Sequence, residues 1–446
     1  MNTLKAGFSR VCITPKIGIP MEGYFFYRPA EGVIDELEAN VLALEAGKTK
    51  ALLVSVDNCG IAKDILDIYR AEISKDVNVP VENIIIGSTH THTGPITKTN
   101  TGEKMVDEYI DFLLGKIKEA VRSAVSDLVD AKMGYGIGEA KNISFGRRYV
   151  MKDGSIKTNP GVNNPDIVKP LGEVDERVSV LRFDRTDGKK LIFVNFPTHP
   201  DVVGGAKFSA DWPGLLRETL EKTIDNSACI FFNGALGDVN HVNVHPKGGD
   251  FNDMFNDFDD VARGYEHARH MAYVIVGGVL QCFQKVNYTD IDEIICKERI
   301  ISIASNMPEK KDMEEAYRIK ALHDAGKDDE IPYSGMMLTT VVAEALRMVK
   351  LENGPESFEM PLTGFKIGPV ALVTIPGEGF TNIGLELKKS DKHEIVIPLG
   401  LSNAYEGYFP MQDSYDEGGY EARSSYFKAG VAEHIIKEGR LLVESL

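Results

Sequence analysis

Residues 84–95 read Ile-Ile-Ile-Gly-Ser-Thr-His-Thr-His-Thr-Gly-Pro. The β-branched run Ile84, Ile85, Ile86 is a buried strand that stops at Gly87, and Gly94-Pro95 closes the segment as a turn. His90 and His92 therefore stand just past a strand end. In extended backbone, residues two apart point to one side, so both imidazoles are expected to face one cavity, with Thr89, Thr91 and Thr93 on the opposite side. Neutral imidazole is a borderline-soft nitrogen donor, and a histidine pair at this spacing can serve zinc; it also serves as an ordinary hydrogen-bonded pair in a polar loop.

Outward from this segment the same grammar repeats. Strands are expected at residues 6–14, 41–45 and 51–57, a helix at 62–75, and a long amphipathic helix at 104–129, carried by Val106, Tyr109, Leu113, Ile117 and Val121. A loop rich in glycine and aromatics, residues 19–27, follows the first strand and can wall a pocket. A hairpin is expected over 177–184 and 190–196, and its second strand runs into Pro197-Thr198-His199-Pro200-Asp201. Asp211 is the expected N-cap of a helix to residue 223. The strand at 228–232 opens into Asn233-Gly234-Ala235-Leu236-Gly237-Asp238-Val239-Asn240. Residues 250–261 are rich in Asp and Phe, and a helix over 262–285 carries Glu266, His267 and His270, which lack the HExxH order of a zincin. Helices at 308–329 and 338–349 form an insertion around 306–350. A strand at 371–375 leads to Pro376-Gly377-Glu378 and a helix over 380–388. The strand at 394–399 precedes Asn403, Tyr405 and Tyr408, and a helix over 427–446 ends the chain.

Strands alternating with helices give an α/β fold of mixed β-sheets flanked by helices, with the polar candidates at strand C-terminal ends, where ligands collect in such folds. The 446 residues, 43% hydrophobic, carry no repeat or low-complexity linker, so one domain over 1–446 is expected. A formal charge of -17 opposes nucleic-acid partners and anionic membranes. Five scattered cysteines without CxxC spacing read as reduced thiols; with no signal-peptide core and no transmembrane segment, a soluble cytoplasmic chain is expected.

Two neutral histidines and a carboxylate leave Zn²⁺ a net charge and an open position, as in a catalytic site. Thr89-His90-Thr91-His92-Thr93-Gly94-Pro95, Thr198-His199-Pro200, Gly237-Asp238-Val239, Pro376-Gly377-Glu378 and Gly400-Leu401-Ser402-Asn403 with Tyr405 and Tyr408 together resemble the catalytic domain of the neutral/alkaline (non-lysosomal) ceramidase family. The resemblance implies Zn²⁺ held by His90, His199, Glu378 and Tyr408, with His92, Arg147 or Arg148, and Tyr420 lining the reacting carbonyl. The spacing alone leaves His92 open as a ligand. Where the family has a serine proposed as nucleophile, this chain has Asn240, and the immunoglobulin-like domain that follows in ceramidases is not in the sequence.

The implied activity is zinc-dependent hydrolysis of an N-acyl amide, of small-molecule or lipid-like kind, by a zinc-activated water. Two alternatives stand beside it. One is a metal-dependent ester, lactone or phosphoester hydrolase, with Asp57, Asp201 or Asp238 serving a second metal. The other is a noncatalytic protein that retains zinc, for which Asn240 is the motive.

Overall fold

The computed structural model of the chain describes residues 4–247 and 264–446. Ile84–Ser88 is a strand with every residue buried. Ile84 and Ile86 pack toward helices Lys63–Val77 and Lys104–Ser126, while Ile85 points to the opposite face and meets Phe365, Leu372 and Ile397 of a second sheet. That alternation, with both faces covered, explains the uninterrupted apolar run.

The strand is one edge of a nine-stranded sheet. The order runs Ser227–Asn233, Lys190–Phe196, Arg177–Arg185, Val129–Glu139, Lys5–Cys12, Glu38–Ala46, Thr49–Val56, Ile84–Ser88, and the ninth strand, Asn287–Thr289, pairs with Val129–Glu139 off this path. Its parallel pairs are the two joined by crossover helices: Thr49–Val56 with Ile84–Ser88, and Lys190–Phe196 with Ser227–Asn233. A four-stranded sheet, Ile294–Ala304, Ser357–Ile367, Val370–Thr374 and Ile395–Leu399, packs face to face against the first. Helices Thr381–Leu387 and Val431–Ser445 cover its outer side. The result is four layers, helices outside two stacked sheets, in agreement with the mixed sheets flanked by helices read from the sequence.

The ends of the nine-stranded sheet also come together, which brings distant loops to one place. Strand Ser227–Asn233 lies against Ile84–Ser88, and the Ser55 hydroxyl donates to the Phe231 carbonyl at 2.6 Å. Asn233 Nδ2 donates to the carbonyls of Thr89 (3.2 Å) and Thr198 (3.0 Å), stapling the loops of both histidine strands.

Several boundaries differ from the sequence reading. The helix begun at Lys104 stops at Ser126, because Val129 already starts a strand. The last helix begins at Val431 rather than 427, after Gly430 at φ 96°. Asp211 does not serve as N-cap: it sits inside the helix start at φ 54°, and its carboxylate accepts the amides of Val202 and Val203, both at 2.9 Å, so it ties down the loop after His199. The insertion is a helical hairpin, Met313–Asp324 and Gly335–Leu351, closed on Ala316, Ile319, Val341, Val342 and Ala345. Residues 250–261 lie outside the described residues, and the helix that follows is described over Tyr265–Phe283. There His267 is buried against the His241 ring, and Glu266 pairs with Arg269. Among the described residues, no helix is long and apolar enough to cross a membrane.

Candidate functional site

His90, His199 and Glu378 converge from three strand-end loops, and all three are buried. His90 does not lie in extended backbone. The strand ends at Ser88, and His90 has φ 77°, a left-handed conformation uncommon for a non-glycine residue. Both imidazoles of the HxH segment still face one cavity, but through this turn rather than through strand alternation. Thr91 and Thr93 point the other way, and both hydroxyls donate to the Ser209 carbonyl, at 2.6 and 2.9 Å.

The tautomers follow from the partners. His90 Nδ1 lies 2.6 Å from the Cys59 carbonyl, and His199 Nδ1 lies 2.8 and 2.9 Å from those of Leu236 and Val239. Carbonyls only accept, so both Nδ1 atoms carry the hydrogen and both Nε2 atoms present lone pairs. Those atoms face one carboxylate oxygen, Glu378 Oε2, at 3.4 Å from His90 and 3.1 Å from His199. Three acceptors aimed at each other among buried side chains repel unless a cation lies among them, whether a proton or a metal ion. The donor set, two imidazoles and one carboxylate within 4.8 Å of one another, therefore fits a divalent metal.

Ionisation is consistent with this. Burial drives His92 down to about 3. Burial, joined by Arg147, drives His199 down to about 4. Burial opposes charge on His90 as well, but the Glu378 carboxylate beside it favours the charged ring and His90 is raised. For Glu378, burial is outweighed by His90 and His199, which hold the carboxyl well below its ordinary range. The centre is thus an ionised carboxylate that draws positive charge.

Around it, the adjacent arginines take opposite directions, as neighbours along extended backbone do. Arg147 faces the centre, with Nη1 3.3 Å from His199 Nε2, Nε 2.7 Å from Glu421 and Nη2 2.7 Å from the Gly237 carbonyl. Arg148 faces away and is removed from the candidate site: it donates to Ser414 (2.8 Å) and Glu417 (2.9 Å) and stacks on Phe380. Gly237 itself is required, because a Cβ there would come within 2.5 Å of the Glu378 carbonyl oxygen.

Tyr408 is the backbone neighbour of Glu378 in a parallel bridge. The Arg147 guanidinium lies over its ring, 5.4 Å from the centroid, and the ring packs edge-on against that of Tyr420. His92 Nε2 lies 3.3 Å from His90 Nε2, and His92 Nδ1 lies 3.5 Å from Asp201, which accepts the Tyr24 hydroxyl. Asn240 stands behind the wall: its Nδ2 donates to Asn159 Oδ1 at 3.1 Å, and Asn159 is the one that lines the cleft. Two of the carboxylates considered for a second metal are engaged elsewhere. Asp57 is paired with buried Arg217, and Asp238 accepts the amide and hydroxyl of Thr381 at 2.7 and 2.8 Å. Asp201 alone of the three lines the cleft.

The sequence reading missed Cys59 as a contributor and singled out Tyr405 without giving it a role. Cys59 places its sulfur 3.7 Å from His90 Nδ1, and Tyr405 donates to Glu378 Oε1 at 3.3 Å. Cys59 can form a grouping with His90 and His92, but His90 Nδ1 is already committed to a carbonyl and burial keeps the thiol protonated. The available signal was position: Cys59 follows a strand end, as the histidines do. Gly60 beside it leaves room for the Tyr405 ring, which a Cβ would strike at 2.1 Å.

The centre opens into a cleft with two lobes, of about 380 and 360 Å³, which share Tyr24, Phe25, His92, Tyr408 and Tyr420. One side of helix Gly335–Leu351 roofs both, through Met336, Thr339 and Val342 over the first lobe and Ala343, Leu346 and Lys350 over the second.

No family model matches the sequence. The chain is 21% identical to neutral ceramidase B of Dictyostelium discoideum over 496 aligned positions, 90% of this chain and 66% of that protein, so it spans just under two thirds of the curated relative. Its fold matches that of the neutral ceramidase of Pseudomonas aeruginosa at a TM-score of 0.73 and 18% identity, over 100% of this chain and 75% of that one. A ceramidase complexed with C2 matches at a TM-score of 0.74 and 18% identity, covering 76% of its chain. The chain thus shares the fold of the neutral ceramidases and is similar in sequence to one of them along 90% of its own length.

Proposed function

We propose that the chain is a zinc-dependent hydrolase of N-acyl amide bonds. The observation that carries this reading is the convergence of two Nε2 lone pairs and the Glu378 carboxylate, all three side chains buried, at the floor of a cleft. His90, His199 and Glu378 would hold the ion, with the Tyr408 hydroxyl as the fourth donor. When bound, zinc supplies Lewis acidity toward a carbonyl and lowers the pKa of water toward about 7. The relatives' activity on ceramides, named in the solved structures, supports an amide as the bond attacked.

This chain's own residues have separable tasks. Arg147, gripped by Glu421 and the Gly237 carbonyl, holds fixed positive charge at the floor for the developing oxyanion, and Tyr420 donates beside it. His92, neutral and shared by both lobes, is placed to pass a proton to the leaving amine. Asn240 cannot form an acyl ester and lies behind the wall, so attack by water rather than by a side chain is the supported route.

The test counts metal per chain by elemental analysis and follows turnover of the zinc-loaded protein on a panel of N-acyl amides, esters and phosphoesters. One zinc per chain with amide turnover, both lost in His199→Ala, is expected. Full metal content in His199→Ala, or turnover confined to esters or phosphoesters, would overturn the proposal.

A further inference from the structure

The two lobes differ in chemistry. The first has an apolar wall of Phe25, Phe26, Met336, Leu338 and Val342, beside Arg147, Asp201, His323 and Asp328. The second, beside the same floor, is lined by Glu22, Lys98, Lys350, Tyr405, Glu406 and Tyr426. An alkyl chain can lie along the apolar wall of the first, whereas the second offers no such wall and an alkyl chain there would desolvate its charges.

Glu22 is the informative residue. It is 7% exposed, and its backbone is fixed by a bond from its amide to the Gly94 carbonyl at 3.0 Å and another from Arg28 to its own carbonyl at 2.7 Å. One carboxylate oxygen, Oε1, pairs with the Lys98 ammonium. The other, Oε2, is buried and has no hydrogen-bond partner among the described residues. Buried carboxylate oxygens are ordinarily satisfied, and an orphan at the wall of a cleft marks where a guest's donor belongs. Lys98 and Lys350 stand nearer the rim, with ammonium groups 5.7 Å from the Tyr405 ring and 4.6 Å from the Tyr426 ring.

Apart from Glu378, which belongs to the floor, two carboxylates and two ammonium groups line this lobe and balance. A cationic guest would meet Lys98 and Lys350, and an anionic one would meet Glu22 and Glu406. A hydroxyl both donates and accepts, so it can satisfy Glu22 Oε2 and take a bond from Lys98 at once. We infer that the second lobe is a specificity pocket for a short, uncharged, polyhydroxylated amine portion of the substrate, with Glu22 Oε2 accepting one of its hydroxyl protons. The acyl chain then lies along the apolar wall of the first lobe. This inference rests on the N-acyl amide reading above and narrows its substrate class.

The experiment uses the zinc-loaded full chain and four amides of one medium-chain acyl group, made with an n-alkylamine, an aminopolyol, an amino acid and a diamine. Both kcat/KM and equilibrium binding are measured for wild type, Glu22→Gln and Lys98→Met. Wild type is expected to favour the aminopolyol amide at least tenfold. Glu22→Gln is expected to reduce that preference below about threefold through KM, with kcat and metal content kept, and Lys98→Met to act in the same direction more weakly. Equal use of all four amides, preference for a charged one, or an undiminished preference in both variants would overturn the pocket. If the protein binds zinc but cleaves no amide, the reaction class fails, and the binding comparison still decides the pocket.

Discussion

The floor of the cleft hangs from strand ends, and three of its side chains are anchored on backbone carbonyls: His90 on Cys59, His199 on Leu236 and Val239, Arg147 on Gly237. The roof is a helical hairpin and an aromatic loop in which Phe26 and Tyr27 are 60% and 67% exposed. His323 joins the two halves of the roof, with Nε2 2.7 Å from the Phe25 carbonyl and Nδ1 2.9 Å from Asp328. Sheets with both faces covered resist displacement, whereas a hairpin packed on a small core of its own does not. The contrast assigns chemistry to the floor and choice of substrate to the roof and side lobe, and substitutions can break that division.

The largest effect is expected at the floor. His199→Ala removes one of three converging donors, so bound metal should disappear and kcat/KM should fall at least about 10³-fold, some 4 kcal/mol of transition-state stabilisation. Elemental analysis with steady-state kinetics checks both together. Metal retained at one ion per chain would mean that the floor is not its site.

The two neighbouring arginines sharpen the division. Arg147→Lys loses the fork that spans Glu421, Gly237 and the floor, and kcat should drop about 10² to 10³-fold with metal content unchanged. Arg148→Lys should leave kcat within about twofold and cost roughly 1 to 2 kcal/mol of stability, from lost bonds to Ser414 and the Gly418 carbonyl. Thermal melts beside kinetics separate the two. Similar kcat losses in both would mean that the whole Arg147-Arg148 strand, not one side chain, serves the floor.

A smaller effect belongs to the residue behind Glu378. Tyr405→Phe removes the hydroxyl that bonds to Glu378 Oε1 at 3.3 Å, and metal affinity should weaken about tenfold, the lower end for a group that orients a ligand. Competition with a chelator of known affinity measures it. An unchanged affinity would make Tyr405 a packing residue that happens to fill the space above Gly60.

The strand ends were legible because buried β-branched runs that stop at glycine or proline are local signals, and His90, His199 and Glu378 each follow one. What was not legible depended on partners far along the chain. Asp57 looks like a free strand-end acid until Arg217, 160 residues on, neutralises it. Arg147 and Arg148 cannot be told apart by type, because the side each takes is set by short strands that propensity does not resolve. The left-handed turn at His90 defeated the alternation rule: hydrogen bonds from the His90 amide to the Asn58 carbonyl and from the His92 amide to that of Pro200 override an extended course. Stacking of two sheets was also hidden, since a short apolar strand does not announce which face meets a helix and which meets another sheet.

The smallest predicted effect tests the roof alone. His323 bonds to an acceptor at each ring nitrogen, the Phe25 carbonyl and the Asp328 carboxylate, so it links the aromatic loop to the helical hairpin without touching the floor. His323→Leu keeps comparable bulk and removes both bonds. Losing one or two exposed hydrogen bonds, at about 0.5 to 1.5 kcal/mol each, should raise KM some three- to tenfold by letting the loop sample open positions. The chemical step should be untouched: kcat and metal content stay at wild-type values, and amide exchange quickens over residues 24–27 while the strand Ile84–Ser88 remains protected. A fall in kcat with KM unchanged would contradict the division itself, because it would mean that closure of the roof positions the reacting groups rather than merely admitting the substrate.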